Sequence, residues 1–165
     1  QKQKLKKIIP CLEQISDKKE GKLGAEVFTG WKGLKTAFMK MIEQDHIKEY
    51  LFSYIDNSQY NLVDADYFFI SLLDEIKNKK VPIRGIADHS YGKSKFLNDV
   101  KEDMQIRFAD FPTVGNIDIC KDKVLITSWG KTPLGLLIHS EEIADNLTNY
   151  FNFVWQSSKR IKKKE

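Results

Sequence analysis

Residues 115–130 read GNIDICKDKVLITSWG, and KTPLGLLIHS follows at 131–140. Apolar residues alternate up to a Lys-Asp-Lys turn, a second apolar run leads away from it, and a third begins after Pro133. Alternation with a period of two is typical of β-strands, and a short polar turn between two such runs indicates a hairpin. The segment therefore predicts an antiparallel meander with strands at 116–120, 123–129 and 133–138.

Strand and helix patterns alternate in the part of the chain before this meander. Strands are predicted at 25–29, 49–55, 81–88 and 104–109, and helices at 31–44, 64–79 (capped by Asp64) and 93–103. A last helix follows the capping residue Ser140. The apolar face of the first helix is Trp31, Leu34, Phe38, Met41 and Ile42, and that of the last is Ile143, Leu147, Phe151, Val154 and Trp155.

The order of these elements predicts the fold class. Alternating strands and helices in the first half indicate right-handed crossovers and a parallel sheet core, whereas the meander indicates antiparallel additions. We therefore expect an α/β fold with a mixed β-sheet flanked by helices on both faces.

The composition, 41% apolar and 30% charged residues, is typical of a soluble globular protein. No apolar run approaches the roughly 18–20 residues that cross a bilayer, and no signal-peptide pattern is present, so no membrane partner is expected. Cys11 and Cys120 are far apart and do not indicate a disulfide framework. We therefore expect a cytoplasmic protein. Because the sequence begins with Gln1 rather than Met, we also expect a fragment of a longer chain.

The basic residues are concentrated at the two ends of the chain. Residues 1–22 and 159–165 together hold twelve basic and four acidic residues, whereas 23–158 hold fifteen basic and nineteen acidic ones. A domain that binds nucleic acid through its own surface should carry its Lys and Arg on the folded part. Direct DNA binding would therefore depend on the tails alone, with a steep salt dependence that deletion of 159–165 abolishes.

Three units follow from these patterns. Residues 1–24 contain an amphipathic helix at 4–16, with a kink near Pro10, and a polar linker. This helix packs on a second copy of itself, giving a homodimer, or on a missing upstream domain, or back on its own domain. Residues 25–158 form the main folded domain, and 159–165 form a basic tail.

Polar side chains cluster where the predicted strands end, which is where open α/β sheets bind ligands. A few polar groups beside one aromatic ring suit a small polar molecule. The alternative for each is a solvated loop residue and, for Trp129, a hydrophobic plug, which is the favoured role for that ring. The candidate effector-binding residues are Asp56, Asn57, Asp88, His89, Ser128, Trp129 and Lys131.

Motifs of catalysis, phosphate loops and metal sites are absent from the sequence. His89 beside Asp88 lacks a Gly-x-Ser-x-Gly elbow, and neighbours in sequence point their side chains apart. His46 and Lys48 form a His-x-Lys pair. In a catalytic His-x-Lys motif an Asp follows five residues after the Lys, but here that position is Ser53. His139 has no partner at metal-ligand spacing. We therefore expect no catalytic residues, no metal and no cofactor.

Two segments resemble a known family. EVFTGWKGLKTAF (26–38) is similar to the opening strand and helix of the effector domain of TrmB-type transcriptional regulators, and DKVLITSWGKTPLGLLIHSEEIADNLTNYFNFVW (122–155) resembles its closing hairpin and final helix. The resemblance implies a phospholipase D-like fold preceded by a connecting helix, which 4–16 fits. It also implies that DNA is bound only through a winged helix-turn-helix, which this chain lacks.

The resemblance also provides a test for catalysis. Catalytic members of the phospholipase D-like fold carry His-x-Lys-x-x-x-x-Asp, in which the His attacks phosphorus and the Lys binds the phosphate oxygens. With Asp122 on the motif's Asp, Gly115 takes the His position and Ile117 the Lys position. No His lies between His89 and His139, so a shifted alignment does not restore the motif. The resemblance therefore implies a catalytically empty scaffold.

Two functions remain open at this point. The first is an effector-sensing and dimerising domain of a TrmB-family transcription regulator, with a sugar or another small polar metabolite as effector. Sugar is the less expected choice, because this sequence ends without the further β-domain that completes the family's sugar site. The alternative is a divergent phosphodiesterase of the same fold that uses His89 or His46.

Overall fold

The computed structural model of the chain describes residues 23–44, 46–54, 62–89, 95–100, 104–109 and 116–160. The predicted helix at 4–16 lies outside the described residues. The eight strands in this part of the chain are β1 Gly24–Thr29, β2 Tyr50–Tyr54, β3 Ile83–Asp88, β4 Gln105–Ala109, β5 Asn116–Cys120, β6 Lys123–Ser128, β7 Leu134–His139 and β8 Lys159–Arg160. Its helices are α1 Gly30–Ile42, α2 Leu62–Ile70, α3 Leu73–Asn78, α4 Lys95–Val100 and α5 Glu141–Ser157.

All eight strands belong to one mixed sheet in the order β1-β7-β6-β5-β2-β3-β4-β8. Strands β2, β3 and β4 are parallel neighbours, and every other pairing is antiparallel. The meander is formed as predicted: a turn at Lys121 and Asp122 joins β5 to β6, and Lys121 adopts a positive φ of 57° there. The parallel core predicted from the alternating first half is present in β2–β4.

The position of strand β1 in the sheet differs from the one that the order of the elements in the sequence suggests. It pairs with β7 in antiparallel fashion at the edge of the sheet, where three strands separate it from β2. The connection through α1 therefore crosses β7, β6 and β5. A strand pattern shows which residues can pair but not which strand lies beside it. The meander supplies three strands, and these fill the space between β1 and β2.

Three further expectations are corrected by the structure. The helix predicted at 64–79 is two helices, α2 and α3, separated at residues 71–72. Asp64 does not cap α2, because that helix begins at Leu62 and Asp64 lies in its first turn. The predicted tail begins with a strand, since β8 pairs with β4. By contrast, the cap at Ser140 is confirmed: its Oγ accepts a hydrogen bond from the backbone N–H of Ile143 at 3.3 Å.

Helices cover both faces of the sheet and form two separate cores. On one face α1 to α4 enclose a core that includes Leu34, Phe38, Met41, Phe68 and Leu125. On the other face α5 packs on a smaller core that includes Leu51, Ile86, Val124, Phe151 and Val154. None of the helices in the described part of the chain is long and apolar enough to cross a membrane.

Two residues predicted to be buried are partly exposed. Trp31 is 38% exposed and Ile143 is 40% exposed. Each lies in the first turn of its helix, at the rim of the sheet, where the covering layer ends. The remaining apolar residues of α1 have the expected helical spacing and are buried, namely Leu34, Phe38, Met41 and Ile42 together with Ala37.

Candidate functional site

One edge of the sheet carries most of the predicted site residues. From the pairings, β1, β2, β3, β4 and β6 all run in the same direction, so their carboxyl ends lie at one edge. Asp88 ends β3 and His89 follows it, whereas Ser128 ends β6 and Trp129 follows it. Asp56 and Asn57 lie outside the described residues.

The residues at the end of β3, Asp88 and His89, are not neighbours of those at the end of β6, Ser128 and Trp129. β5 and β2 lie between β6 and β3, and three strand spacings amount to about 14 Å. His89 is exposed and stacks on the ring of Phe108, with centroids 5.1 Å apart. Ser128 and Lys131 are also exposed. The described predicted residues therefore share one edge but do not converge on one point, and their role in binding stays a prediction.

Trp129 is placed differently from its neighbours. Its side chain is 6% exposed and packs in the α1–α4 core. Its ring centroid lies 6.0 Å from that of Trp31, 5.8 Å from Phe68 and 5.3 Å from Phe69. The ring thus plugs the end of the core, and it also forms one wall of a cavity.

This cavity lies between the sheet and helices α2 to α4. It measures about 30 Å³, counted as the space that the centre of a water molecule can occupy. Phe69, Ile76 and Phe96 contribute the helical side of the wall. The strand side combines the aromatic rings of Tyr50, Phe52, Tyr54 and Trp129 with four polar or acidic residues, namely Ser53, Asn116, Asp118 and Thr127.

A hydrogen bond between Tyr50 and Asp118 lies at the base of the cavity. The Tyr50 hydroxyl donates to Oδ1 of Asp118 at 2.8 Å, and both side chains are buried. Burial raises the pKa of the Asp118 carboxyl to about 7, an effect that the hydrogen bond from Tyr50 only partly offsets. Burial likewise raises the pKa of the Tyr50 hydroxyl well above its usual value.

Two further polar atoms of the cavity wall have no hydrogen-bond partner in the described part of the chain. They are Oγ1 of Thr127 and Nε1 of Trp129, and both are shielded from solvent. Thr127 is opposite Asn116 across the β5–β6 hairpin, and Asp118 lies two residues farther along β5. Residues directly opposite or two apart share a face of a sheet. Asn116, Asp118 and Thr127 therefore form one polar group on the cavity side.

The space above Asp118 of β5 depends on Gly85 of β3, and strand β2 lies between these two strands. Phe52 of β2 is paired with both Asp118 and Gly85. A Cβ atom on Gly85 would lie 2.1 Å from Cζ of Phe52, so the ring occupies the position that a side chain at residue 85 would take. Because the ring lies over β3, it leaves room above β5.

The position that the sequence alignment assigns to the Lys of a phosphodiesterase motif faces away from this cavity. Ile117 lies between Asn116 and Asp118, so it points to the opposite face, where it lies against Phe151 and Val154 of α5. It is 8% exposed and carries no group that could hold a phosphate. Asp122 lies in the turn at the opposite edge of the sheet, and Gly115 is outside the described residues.

The other histidines do not approach His89. His46 precedes β2 and is therefore near the amino end of a strand parallel to β3, whereas His89 follows the carboxyl end of β3. His139 lies 2.8 Å from Oε1 of Glu26 through its Nε2 atom. Hydrogen bonds from Lys40 and then His139 lower the pKa of Glu26. Among the described residues no group of three or more His, Cys, Asp or Glu could hold a metal ion.

Comparison with solved structures identifies the fold. The phospholipase D family member Nuc from Salmonella typhimurium superimposes with a TM-score of 0.61 at 11% identity, over 85% of this chain and 99% of that one. NucT from Helicobacter pylori gives a TM-score of 0.59 at 12% identity, over 85% of this chain and 100% of that one. This is a phospholipase D-like α/β fold. The expected fold class is confirmed.

A third structure comes from a protein that binds DNA. TrmBL2, an archaeal chromatin protein, gives a TM-score of 0.52 at 16% identity over 97% of this chain. The chain spans 63% of the length of TrmBL2. No protein-family model matches the sequence, and no curated protein matches it either. At these identities the likeness shows the fold alone.

Sequence reasoning missed the polar group of the cavity. The alternation in NIDIC (116–120) by itself indicates only a strand, and alternating polar residues usually face solvent. A signal was nevertheless present: the two-residue turn fixes the hairpin register, and that register places Asn116 opposite Thr127 on the same face as Asp118. The same reasoning would have placed the polar residues in one cluster, although not beneath a layer of helices.

Titration of Asp118 makes the stability of the domain depend on pH. The carboxyl has a pKa near 3.9 in the unfolded chain and about 7 in the fold, so the folded state binds the proton more tightly. The free energy of unfolding contributed by this group is therefore largest below pH 4, falls between pH 4 and 7, and is constant above pH 7. The total loss is up to about 4 kcal/mol.

Urea denaturation between pH 4 and 8 measures this effect as the difference between wild type and Asp118→Asn. The amide oxygen still accepts from Tyr50 but does not ionise, so the variant should gain stability relative to wild type as pH rises to 7. Asp145→Asn, at an exposed position of α5, is the matched control and should follow wild type. A constant difference between Asp118→Asn and wild type would contradict the burial of an ionisable carboxyl.

Proposed function

We propose that this chain is the effector-sensing domain of a transcription regulator and that it does not catalyse a reaction. The observation that carries the proposal is the position of Ile117. When Asp122 is aligned with the Asp of the His-x-Lys-x-x-x-x-Asp motif, the position of the phosphate-binding Lys falls on Ile117, a buried apolar side chain in the core beneath α5. In this alignment the scaffold lacks the groups that cleave phosphodiesters.

The arrangement of polar groups supports sensing as the alternative use of this scaffold. The cavity on the other face combines aromatic walls with a few buried polar atoms, which is the usual composition of a small-molecule site. Ligand binding there would favour one of two domain geometries and so shift their populations. A connecting helix at 4–16 would transmit that shift to a winged helix-turn-helix, where DNA would be bound.

The likeness to TrmBL2 supports the regulatory setting of this proposal. TrmBL2 is an archaeal chromatin protein with a novel mode of DNA binding, and its structure superimposes on 97% of this chain. Because residues 23–158 contain nineteen acidic and fifteen basic residues in sequence, this proposal assigns DNA contact to another part of the regulator. We also propose that this regulator is located in the cytoplasm.

We expect that the chain does not hydrolyse a phosphodiester. The probe is bis(p-nitrophenyl) phosphate, and the chain should release no nitrophenol above a blank, because the positions of the attacking His and the phosphate-binding Lys are not filled by such groups. His89→Ala should behave identically. Turnover that His89→Ala or His46→Ala removes would establish the divergent phosphodiesterase instead.

The proposed regulator acts as a homodimer, and one sheet surface suits this. Val27 is 65% exposed on the edge strand β1, and Leu136 and Ile126 lie beside it in successive strands of the same face. Leu134, two residues from Leu136, is also exposed on that face. Contiguous exposed apolar residues commonly mark an interaction surface, and an isologous dimer would cover this one on both copies.

Light scattering on the purified chain tests the dimer. The wild type should have twice the mass of the monomer, and Val27→Asp should reduce it to the monomer, because a charge in a buried apolar contact is costly. Lys35→Asp, at an exposed position of α1, should remain a dimer. A wild-type chain of monomer mass throughout a dilution series would contradict dimerisation through this domain.

A further inference from the structure

The two polar atoms without protein partners point to a specific binding chemistry in the cavity. Oγ1 of Thr127 and Nε1 of Trp129 are shielded from solvent and lack a hydrogen-bond partner in the described part of the chain. A buried polar group that makes no hydrogen bond costs about 1–3 kcal/mol. Both atoms belong to residues of the cavity wall, so a molecule within the cavity can satisfy them.

The charge of the wall restricts what such a molecule can be. Among the described lining residues Asp118 alone can carry a charge near neutral pH, and no Lys, Arg or His lines the cavity. A carboxylate or phosphate would enter without a counter-charge and beside an acidic group, and an isolated buried charge is strongly unfavourable. The wall therefore selects against anions, even though the fold is shared with phosphodiesterases.

The hydrogen-bonding atoms restrict it further. An indole N–H only donates, so a ligand must offer Trp129 an acceptor atom. The hydroxyl of Thr127 can donate or accept, and the Tyr50 hydroxyl is already committed to Asp118 at 2.8 Å. A hydroxyl or carbonyl oxygen meets the requirement of Trp129, whereas an ammonium group has no lone pair to accept the bond.

The volume of the closed cavity limits the size of a ligand that leaves its wall in place. Space of about 30 Å³ accommodates about two water molecules, since each needs roughly 10–15 Å³ by this measure. A three-carbon diol is larger than this, and a sugar ring is far larger. The strand side of the wall is held by the backbone pairing of β2, β5 and β6, so a diol enters only when Phe69, Ile76 and Phe96 on the helical side move outward, and a sugar ring would have to displace them much farther.

We propose that this cavity binds a small uncharged molecule, smaller than a sugar ring, that bears a hydroxyl or carbonyl group. Its oxygen accepts a hydrogen bond from Nε1 of Trp129, it pairs with Oγ1 of Thr127, and its carbon atoms contact Phe69 and Phe96. The inference rests on the proposed sensing function and identifies the ligand class for it. Sugars and phosphorylated metabolites are thereby excluded from this cavity.

The test follows the indole N–H signals by ¹H–¹⁵N NMR. The chain has three tryptophans, and the signal of Trp129 is assigned by its loss in Trp129→Phe. The three probes are propane-1,2-diol, lactate, which has the same three-carbon skeleton with a carboxylate, and glucose. The diol should shift the Trp129 signal saturably and leave that of Trp155 unchanged, whereas lactate and glucose should shift neither.

Thr127→Val removes the hydroxyl at nearly constant volume and should weaken diol binding about tenfold, which corresponds to the loss of one buried hydrogen bond. Thr36→Val, at an exposed position of α1 where the hydroxyl bonds to the Lys32 carbonyl, should bind the diol like wild type. Unchanged diol binding in Thr127→Val would remove Thr127 from the site and overturn the assignment.

Other results separate this inference from the proposed function. Saturable binding of lactate or glucose at Trp129 would overturn the ligand class while leaving a sensor. An unmoved Trp129 signal with all three probes would overturn the cavity assignment. In that case a thermal-shift screen of sugars and phosphorylated metabolites tests sensing on its own, since a ligand of the folded state raises its melting temperature. A screen without any stabilising compound would contradict the proposed function as well.

Discussion

The hydrogen bond between Tyr50 and Asp118 is the constraint on which the arrangement of the site depends. It joins two neighbouring strands through side chains that are both buried. A carboxyl in this position is tolerated because it is protonated more readily than in water and because its oxygen accepts a bond. An apolar residue here would allow the helices to close on the sheet, and the cavity would have no polar base.

The same strand serves two different purposes because its side chains alternate. Asn116 and Asp118 face the cavity, whereas Ile117 and Ile119 face α5 and belong to its core. On a fold shared with phosphodiesterases, the chain thus has apolar packing on the face where phosphate chemistry is expected and polar groups on the other. A site that moves to the opposite face of a strand needs only a change in which alternate positions are polar. Under the proposed function, this change separates sensing from cleavage.

Much of the fold could be predicted from the sequence because its signals are local. Three features depend only on residues that are close together in the sequence. They are the turn at Lys121 and Asp122, the cap at Ser140 and the helical spacing from Leu34 to Ile42. The position of β1 beside β7 and the interruption between α2 and α3 could not, because both depend on contacts between distant segments. The cavity belongs to the second kind. Its polar residues come from one hairpin, but their burial depends on Phe69, Ile76 and Phe96, which three separate helices supply.

The most direct measurement for this account is a ¹³C NMR titration of the Asp118 carboxyl in the intact chain, assigned with Asp118→Asn. Asp118 is a buried acid that accepts a hydrogen bond from Tyr50, and no cation among the described residues lowers its pKa. We therefore expect a titration midpoint of about 7. A midpoint near 4, the ordinary value for an exposed aspartate, would show that water or a counter-charge reaches the carboxyl, and it would contradict the closed polar cavity on which the proposed ligand class rests.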